Sequence, residues 1–134
     1  MPNKLIGLCV VVALVLIASL SYAKRIAPSV VAPVVHQGVK YVAPHFGNGT
    51  GQNGGYIEAR DEQTGKKIWG LVVYRTDYND ALERDVQDVL ISTLRIDAKR
   101  NCLIVETDRK DLYYVDLSTR KVSKGSGQAT KRDI

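Results

Sequence analysis

Residues 59–69 read ARDEQTGKKIW, and this stretch decides the fold because it encodes a tight reversal between two strands. Asp61 can accept backbone N–H hydrogen bonds through its carboxylate, and Thr64 can do so through its hydroxyl. Gly65 can adopt the left-handed conformation that lets the chain re-enter a ladder. Trp69 follows on the returning strand, where a large indole can cover the turn. The stretch therefore predicts a β-hairpin.

Two hairpins account for most of the predicted sheet. The first joins residues 56–60 to residues 67–74, and apolar residues on both faces of the second strand predict that this strand is central. The second joins residues 101–107 to residues 111–117, with apolar residues sharing one face of each strand. We therefore expect a mainly β fold, a small antiparallel sheet of about four to six strands.

The segment between the hairpins leaves two interpretations open. The apolar spacing over residues 82–94 suits an amphipathic helix, and Asp80 with Glu83 resembles a capping box. The β-branched residues and two-residue period over residues 89–96 suit a strand instead. We expect a short helix or loop near residues 80–88, followed by a strand.

The opening stretch resembles the tryptophan-docking motif of quinoprotein β-propellers, whose pattern is A-x-D-x-x-x-G-K-x-x-W. The residues that meet the pattern are Ala59, Asp61, Gly65, Lys66 and Trp69, and Thr64 completes the turn. The resemblance implies a blade-like meander whose indole packs against a neighbouring sheet. It covers 11 of 134 residues, and so short a chain cannot close a ring of blades. No quinone-binding residue carries over, and we predict no cofactor.

A weaker copy of the motif follows 55 residues later. Asp116, Thr119 and Lys121 repeat the spacing of the first turn, with Arg120 in place of the glycine and no tryptophan. Two interpretations of Trp69 follow. Its indole either caps the domain's own sheet or docks on another protein.

The chain divides into four predicted segments. Residues 1–23 have the positive start, apolar middle and small residues of a secretory signal peptide that is cleaved at its end. Residues 24–55 are rich in proline and glycine, which predicts an extended arm and flexible linker with one small hairpin around Gly38. Residues 56–122 form the predicted β domain, and residues 123–134 form a flexible basic tail.

These features predict a secreted or periplasmic protein, with a membrane contact only if the signal segment stays uncleaved. Loss of Lys4 with that segment lowers the formal net charge from +5 to +4. The excess lies near the chain ends, and no basic stripe alternates with aromatic residues, so we predict no nucleic-acid binding. Cys102 lies in an apolar run, which predicts a buried, inert thiol.

The acidic stretch from residue 77 to residue 88 is the remaining candidate for ion chemistry. Its weak candidate metal ligands are Asp77, Asp80, Asp85 and Asp88, and Glu83 is a fifth carboxylate in the stretch. It fails the pattern of an EF-hand because Leu82 stands where the turn glycine belongs. A solvated acidic loop is the simpler interpretation.

We predict no catalytic residues. His36 and His45 lack partners at zinc-site spacing, and no serine lies in a nucleophile elbow. The sequence predicts an exported, non-catalytic structural or protein-binding β domain that pairs through its sheet edges with a partner or with another copy. A calcium-responsive accessory protein is the alternative, and an enzyme using two carboxylates as acid and base is a third hypothesis.

Overall fold

The computed structural model describes residues 28–126 as eight strands and one short helix. The elements are β1 (Val34–His36), β2 (Val39–Val42), β3 (Tyr56–Asp61), β4 (Lys67–Val72), α1 (Arg84–Gln87), β5 (Ile91–Asp97), β6 (Cys102–Thr107), β7 (Leu112–Asp116) and β8 (Val122–Lys124). The strands form two four-stranded antiparallel sheets, each a meander in chain order. The predicted mainly β antiparallel fold, with a short helix near residues 80–88, is confirmed.

The first sheet begins well before Tyr56. β1 and β2 meet at the expected turn, where Gln37 and Gly38 have φ angles of 51° and 74°, as a two-residue hairpin turn requires. β2 then pairs with β3, placing Tyr41 opposite Ala59. Tyr41 is buried in the core. The predicted domain boundary at Tyr56 is therefore corrected, because strands from the proline-rich arm complete the sheet.

The glycine-rich segment 47–55, predicted to be a flexible linker, packs closely against the chain that follows β4. The N–H of Val73 donates to the carbonyl of Gly55 at 2.7 Å, and the amide of Gln52 donates to the carbonyl of Tyr74 at 2.8 Å. A Cβ atom added to Gly55 would lie 2.6 Å from that same Tyr74 oxygen. Glycine is needed here for close backbone approach.

β4 is an edge strand, which corrects the prediction that it is central. The order β1-β2-β3-β4 leaves its outer side unpaired. Trp69 and Leu71 pack against the core, whereas Ile68 is 55% exposed. A β-bulge in the pairing with β3 makes Ile68 an extra residue. The bulge breaks the two-residue alternation, so the run of apolar residues in β4 does not require both faces of the strand to be covered.

The segment between the sheets follows the expected order of helix and then strand. α1 is a single turn, and β5 begins at Ile91. The predicted capping box of Asp80 and Glu83 does not form, since Glu83 is the N-cap residue and makes no side-chain cap. Instead, the side chain of Gln87 accepts from the N–H of Asn79 at 2.6 Å and donates to its carbonyl at 3.0 Å. One amide side chain therefore closes this loop.

The inner faces of the two sheets pack on each other and form one core. Its fully buried residues include Ile57, Ala59, Leu103, Val105 and Val115. Tyr74 follows β4 and links the sheets, because its ring stacks on Tyr113 of β7 with centroids 4.9 Å apart. Its hydroxyl donates to the carbonyl of Val89 at 2.7 Å. Burial raises the pKa of Tyr74, as expected for a phenol removed from water.

The second sheet ends inside the segment predicted to be a tail. β8 pairs with β7 through Lys124, and the N–H of Gly125 donates to the carbonyl of Leu112 at 2.8 Å. The predicted tail boundary at residue 123 is corrected accordingly. The predicted signal peptide and residues 127–134 lie outside the described residues. Across residues 28–126, no helix has the length and apolar character needed to cross a membrane.

Candidate binding surface

The turn between β3 and β4 has the hydrogen bonds that its sequence predicts. The Asp61 carboxylate accepts from the N–H groups of Gln63 and Thr64 at 2.9 and 2.8 Å. The Thr64 hydroxyl accepts from the N–H of Lys66 at 3.2 Å. Gly65 has a φ of 71°. The hydrogen bond from the Thr64 N–H is the main cause that lowers the pKa of Asp61, and the hydrogen bond from the Thr64 hydroxyl adds to it.

The turn between β7 and β8 is a second copy of the same structure. The Asp116 carboxylate accepts from the N–H groups of Ser118 and Thr119 at 2.8 and 2.9 Å. The Thr119 hydroxyl accepts from the N–H of Lys121 at 3.3 Å. Arg120 takes the left-handed position with a φ of 60°. The weaker sequence copy therefore folds as the first turn does, without the glycine.

Trp69 lies where the two sheets meet. It pairs with Ala59 across β3 and β4, and its ring is 6.0 Å from the ring of Tyr41 in the same sheet. The guanidinium of Arg120, from the second turn, lies 5.3 Å from the indole centroid. The predicted motif residues Ala59, Asp61, Thr64, Gly65, Lys66 and Trp69 thus lie on one hairpin, and the indole contacts the second copy of that hairpin's turn.

The outer face of the first sheet carries a charged cluster that sequence analysis missed. Glu58 is only 8% exposed, although it lies on the face turned away from the core. Its carboxylate accepts from Arg60 through Nε at 2.8 Å and through Nη2. It also accepts from the Tyr56 hydroxyl at 3.2 Å. The alternation of Tyr56, Glu58 and Arg60 along β3 was the available sequence signal, since alternate residues share a face.

Lys67 and exposed apolar side chains border this cluster. The ammonium of Lys67 is 4.0 Å from Glu58 Oε1 and 5.7 Å from the centroid of the Tyr56 ring. Its hydrogen bond with Tyr56 is the main cause of its raised pKa. Val35 and Ile68 are 49% and 55% exposed. Val35 shares the face of the cluster, since it pairs with Lys40, which pairs with Arg60, and Ile68 is exposed on the edge strand beside it.

The outer face of the second sheet contains a groove of about 670 Å³. Its lining residues include Cys102, Tyr114, Asp116 and Ser123. Cys102 is 7% exposed, which confirms the predicted burial of this thiol. Burial is the main cause that raises the pKa of the Cys102 thiol, and the nearby Asp97 carboxylate adds to it. The thiolate is therefore disfavoured at neutral pH.

The acidic stretch from residue 77 to residue 88 is spread over an exposed loop. Asp77, Asp80 and Asp85 are exposed, whereas Asp88 is 3% exposed. The Asp88 carboxylate accepts from the Tyr78 hydroxyl at 2.7 Å and from the Asn53 amide at 2.9 Å. Among residues 28–126, no three His, Cys, Asp or Glu side chains are grouped so as to hold a metal ion. Calcium binding stays a prediction.

Comparison with known proteins identifies no family: no family model matches the sequence, and no curated protein matches it significantly.

Proposed function

We propose that this protein is an exported, non-catalytic structural or protein-binding domain that uses the outer face of its first sheet as its binding surface. The observation that carries the proposal is the exposure of Val35 on a sheet face that also holds Tyr56, Glu58 and Arg60, with Ile68 exposed on the adjoining edge strand. Tyrosine and arginine are enriched at the centres of protein interfaces. Exposed apolar area beside them favours a protein ligand over a small molecule.

The roles of the carboxylates support the non-catalytic part of the proposal. The buried acids Glu58 and Asp88 are each hydrogen bonded by neighbouring side chains. Asp61 and Asp116 accept the N–H groups of their own turns. These four acids thus stabilise the native chain conformation, and general acid-base catalysis would need an acid free to exchange a proton with a substrate.

The export part of the proposal rests on residues 1–23. The expected result is a protein outside the cytoplasm whose first residue is Lys24, detected by cell fractionation followed by mass spectrometry of the intact chain. Uncleaved protein confined to the cytoplasm would contradict export.

The binding surface is tested with a photo-crosslinking amino acid at position 68 in the full chain, expressed in cells that make the protein naturally. Val86 on α1 is the matched control position, because it is 57% exposed and Ile68 is 55% exposed. We expect a crosslinked protein, identified by mass spectrometry, from position 68 and none from position 86. Absence of any adduct at position 68 would contradict the proposal.

A further inference from the structure

Equivalent residues of the two sheets point in opposite directions relative to the core. The matching turns align Asp61 with Asp116, so Ala59 and Tyr114, two residues earlier, occupy equivalent positions. Strand pairing agrees, since Ala59 pairs with β2 and Tyr114 pairs with β6. Ala59 is fully buried between the sheets, whereas Tyr114 lines the outer groove. The face that is buried in the first sheet is therefore equivalent to the face that is exposed in the second sheet.

The reverse holds for the other face. Arg60 and Val115 are equivalent, because each directly precedes the aspartate of its turn. Val115 is fully buried against the first sheet, whereas Arg60 lies on the first sheet's outer face with Glu58. The two uncovered faces of one chain are thus the equivalents of the two faces that already pack together inside it.

The groove lies where the second sheet lacks a counterpart of Trp69. Trp69 pairs with Ala59, and the residue that pairs with the equivalent Tyr114 is Ser123. A small, exposed serine therefore stands at the position of the indole, and the groove opens beside it. Ile68, the bulged residue of the edge strand β4, is 55% exposed near the equivalent turn of the first sheet. An exposed apolar side chain and an open groove occupy matching places.

The strand residues of the two uncovered faces differ in charge. Strand residues on the first outer face include three basic side chains and one acidic side chain: Lys40, Arg60, Lys67 and Glu58. Those on the second include three acidic side chains and one basic side chain: Asp97, Glu106, Asp116 and Arg95. Asp97 and Glu106 already pair with Arg100 and Lys110 at 3.7 and 3.3 Å. The groove itself is lined by the basic side chains of Arg100 and Lys121 beside the Asp116 carboxylate, so it accepts an uncharged side chain such as that of Ile68 better than an added positive charge.

We propose that a second copy of this chain docks the outer face of its first sheet on the outer face of the second sheet, with Ile68 entering the groove beside Ser123. The inference rests on the proposed binding surface and names its partner. The contact is heterologous, so it repeats from copy to copy and forms a ring when the rotation between copies closes. Since closed rings of such sheets contain about four to eight sheets, two sheets per chain correspond to about two to four copies.

The test uses protein expressed as the full chain and purified in its natural processed form, with mass measured by sedimentation. Ile68→Arg places a positive charge against Arg100 and Lys121 of the groove, and Ser123→Arg fills the groove and places a positive charge against a basic face. Each variant is expected to raise the dissociation constant at least about 30-fold, because like charges at an interface are strongly unfavourable. Val86→Arg and Ala81→Arg are the matched controls on exposed residues outside both faces.

Mixing the two variants distinguishes this contact from other modes of association. Ile68→Arg protein retains an intact groove, and Ser123→Arg protein retains an intact first sheet face, whereas the doubly altered interface places two arginines together. An equal mixture is therefore expected to form a heterodimer with the mass of two chains, through its one intact interface, and nothing larger. Interfaces formed by the same patch on both copies would not be restored by mixing.

Several outcomes overturn the inference. The wild-type protein is monomeric even at about 100-fold the concentration used for the variants. Alternatively, the mixture fails to associate, or the control variants dissociate as the test variants do. A wild-type assembly that grows without limit overturns ring closure. A crosslink from position 68 to a different protein refutes self-assembly and leaves the proposed binding function intact, whereas no crosslink at all refutes both.

Discussion

The indole ring of Trp69 contacts side chains from both sheets. Tyr41 packs against it within the first sheet, and Arg120 lies over it from the turn of the second. Arg120 is left-handed, a conformation that costs a non-glycine residue about 1–2 kcal/mol. An arginine at this position can approach the indole, which glycine cannot do. The contact with Trp69 therefore provides a physical reason for arginine where the first turn has Gly65.

The Trp69 and Arg120 side chains are expected to be energetically coupled. Trp69→Ala should lower the free energy of unfolding by about 3 kcal/mol, the low end for a large aromatic residue, because the ring is only partly buried. Arg120→Asn removes the guanidinium but tolerates the left-handed backbone. A double-mutant cycle measured by urea denaturation should give a coupling of about 0.5–1 kcal/mol.

Lys99→Asn supplies the control cycle, since Lys99 is an exposed residue of the β5–β6 turn. Its effect should add to that of Trp69→Ala within about 0.5 kcal/mol. A coupling for Arg120 no larger than that of the control would show that the guanidinium does not stabilise the indole.

At the scale of elements, the two matching turns fix the ends of both sheets. Hydrogen bonds from the N–H groups of Thr64 and Thr119 are the main causes that hold the pKa values of Asp61 and Asp116 below the ordinary 3.8. The charged carboxylates accept these bonds more strongly than protonated ones. The stabilisation is therefore present above the ordinary pKa and is lost as pH falls through the lower native values.

An Asp61→Asn/Asp116→Asn double variant should have a flatter dependence of stability on pH. Its amide oxygens still accept the N–H groups, but they do not titrate. Between about pH 5 and pH 2 the wild type should lose more unfolding free energy than the variant, as measured by urea denaturation at each pH. Glu62→Gln/Asp80→Asn, on exposed residues, is the control. Parallel curves for the wild type and the turn variant would refute the turn contribution.

At the scale of the whole molecule, each sheet covers the inner face of the other. Ile57 and Ala59 from the first sheet and Leu103 and Val105 from the second are fully buried in one cluster. A single sheet would expose this apolar face to water. The two sheets should therefore unfold together.

Damage to the core of the second sheet should unfold the first sheet as well. Leu103→Ala is expected to lower stability by about 2–5 kcal/mol. The fluorescence of Trp69, the chain's one tryptophan, reports on the first sheet, while far-ultraviolet circular dichroism reports on both. The two signals should change at the same urea concentration in wild type and variant. Val86→Ala, at an exposed position, should change little, and separated transitions in the wild type would contradict a single folding unit.

The sequence by itself determined the features that depend on local chemistry. The aspartate, threonine and left-handed glycine of the first turn, the hairpin at Gly38 and the order of short helix and strand before β6 could all be predicted. Each depends on residues a few positions apart. The burial of Cys102 could also be predicted, because a short apolar run between turns belongs in a core.

Only the tertiary structure decided which strands lie at an edge, where the first sheet begins and which faces remain uncovered. β4 is as apolar as a central strand, yet its bulge and its place in the sheet order leave Ile68 in solvent. Glu58 and Arg60 meet on an outer face because the other face of β3 packs on the second sheet. These outcomes depend on pairing between strands distant in sequence, and the alternation within one strand does not specify its neighbours.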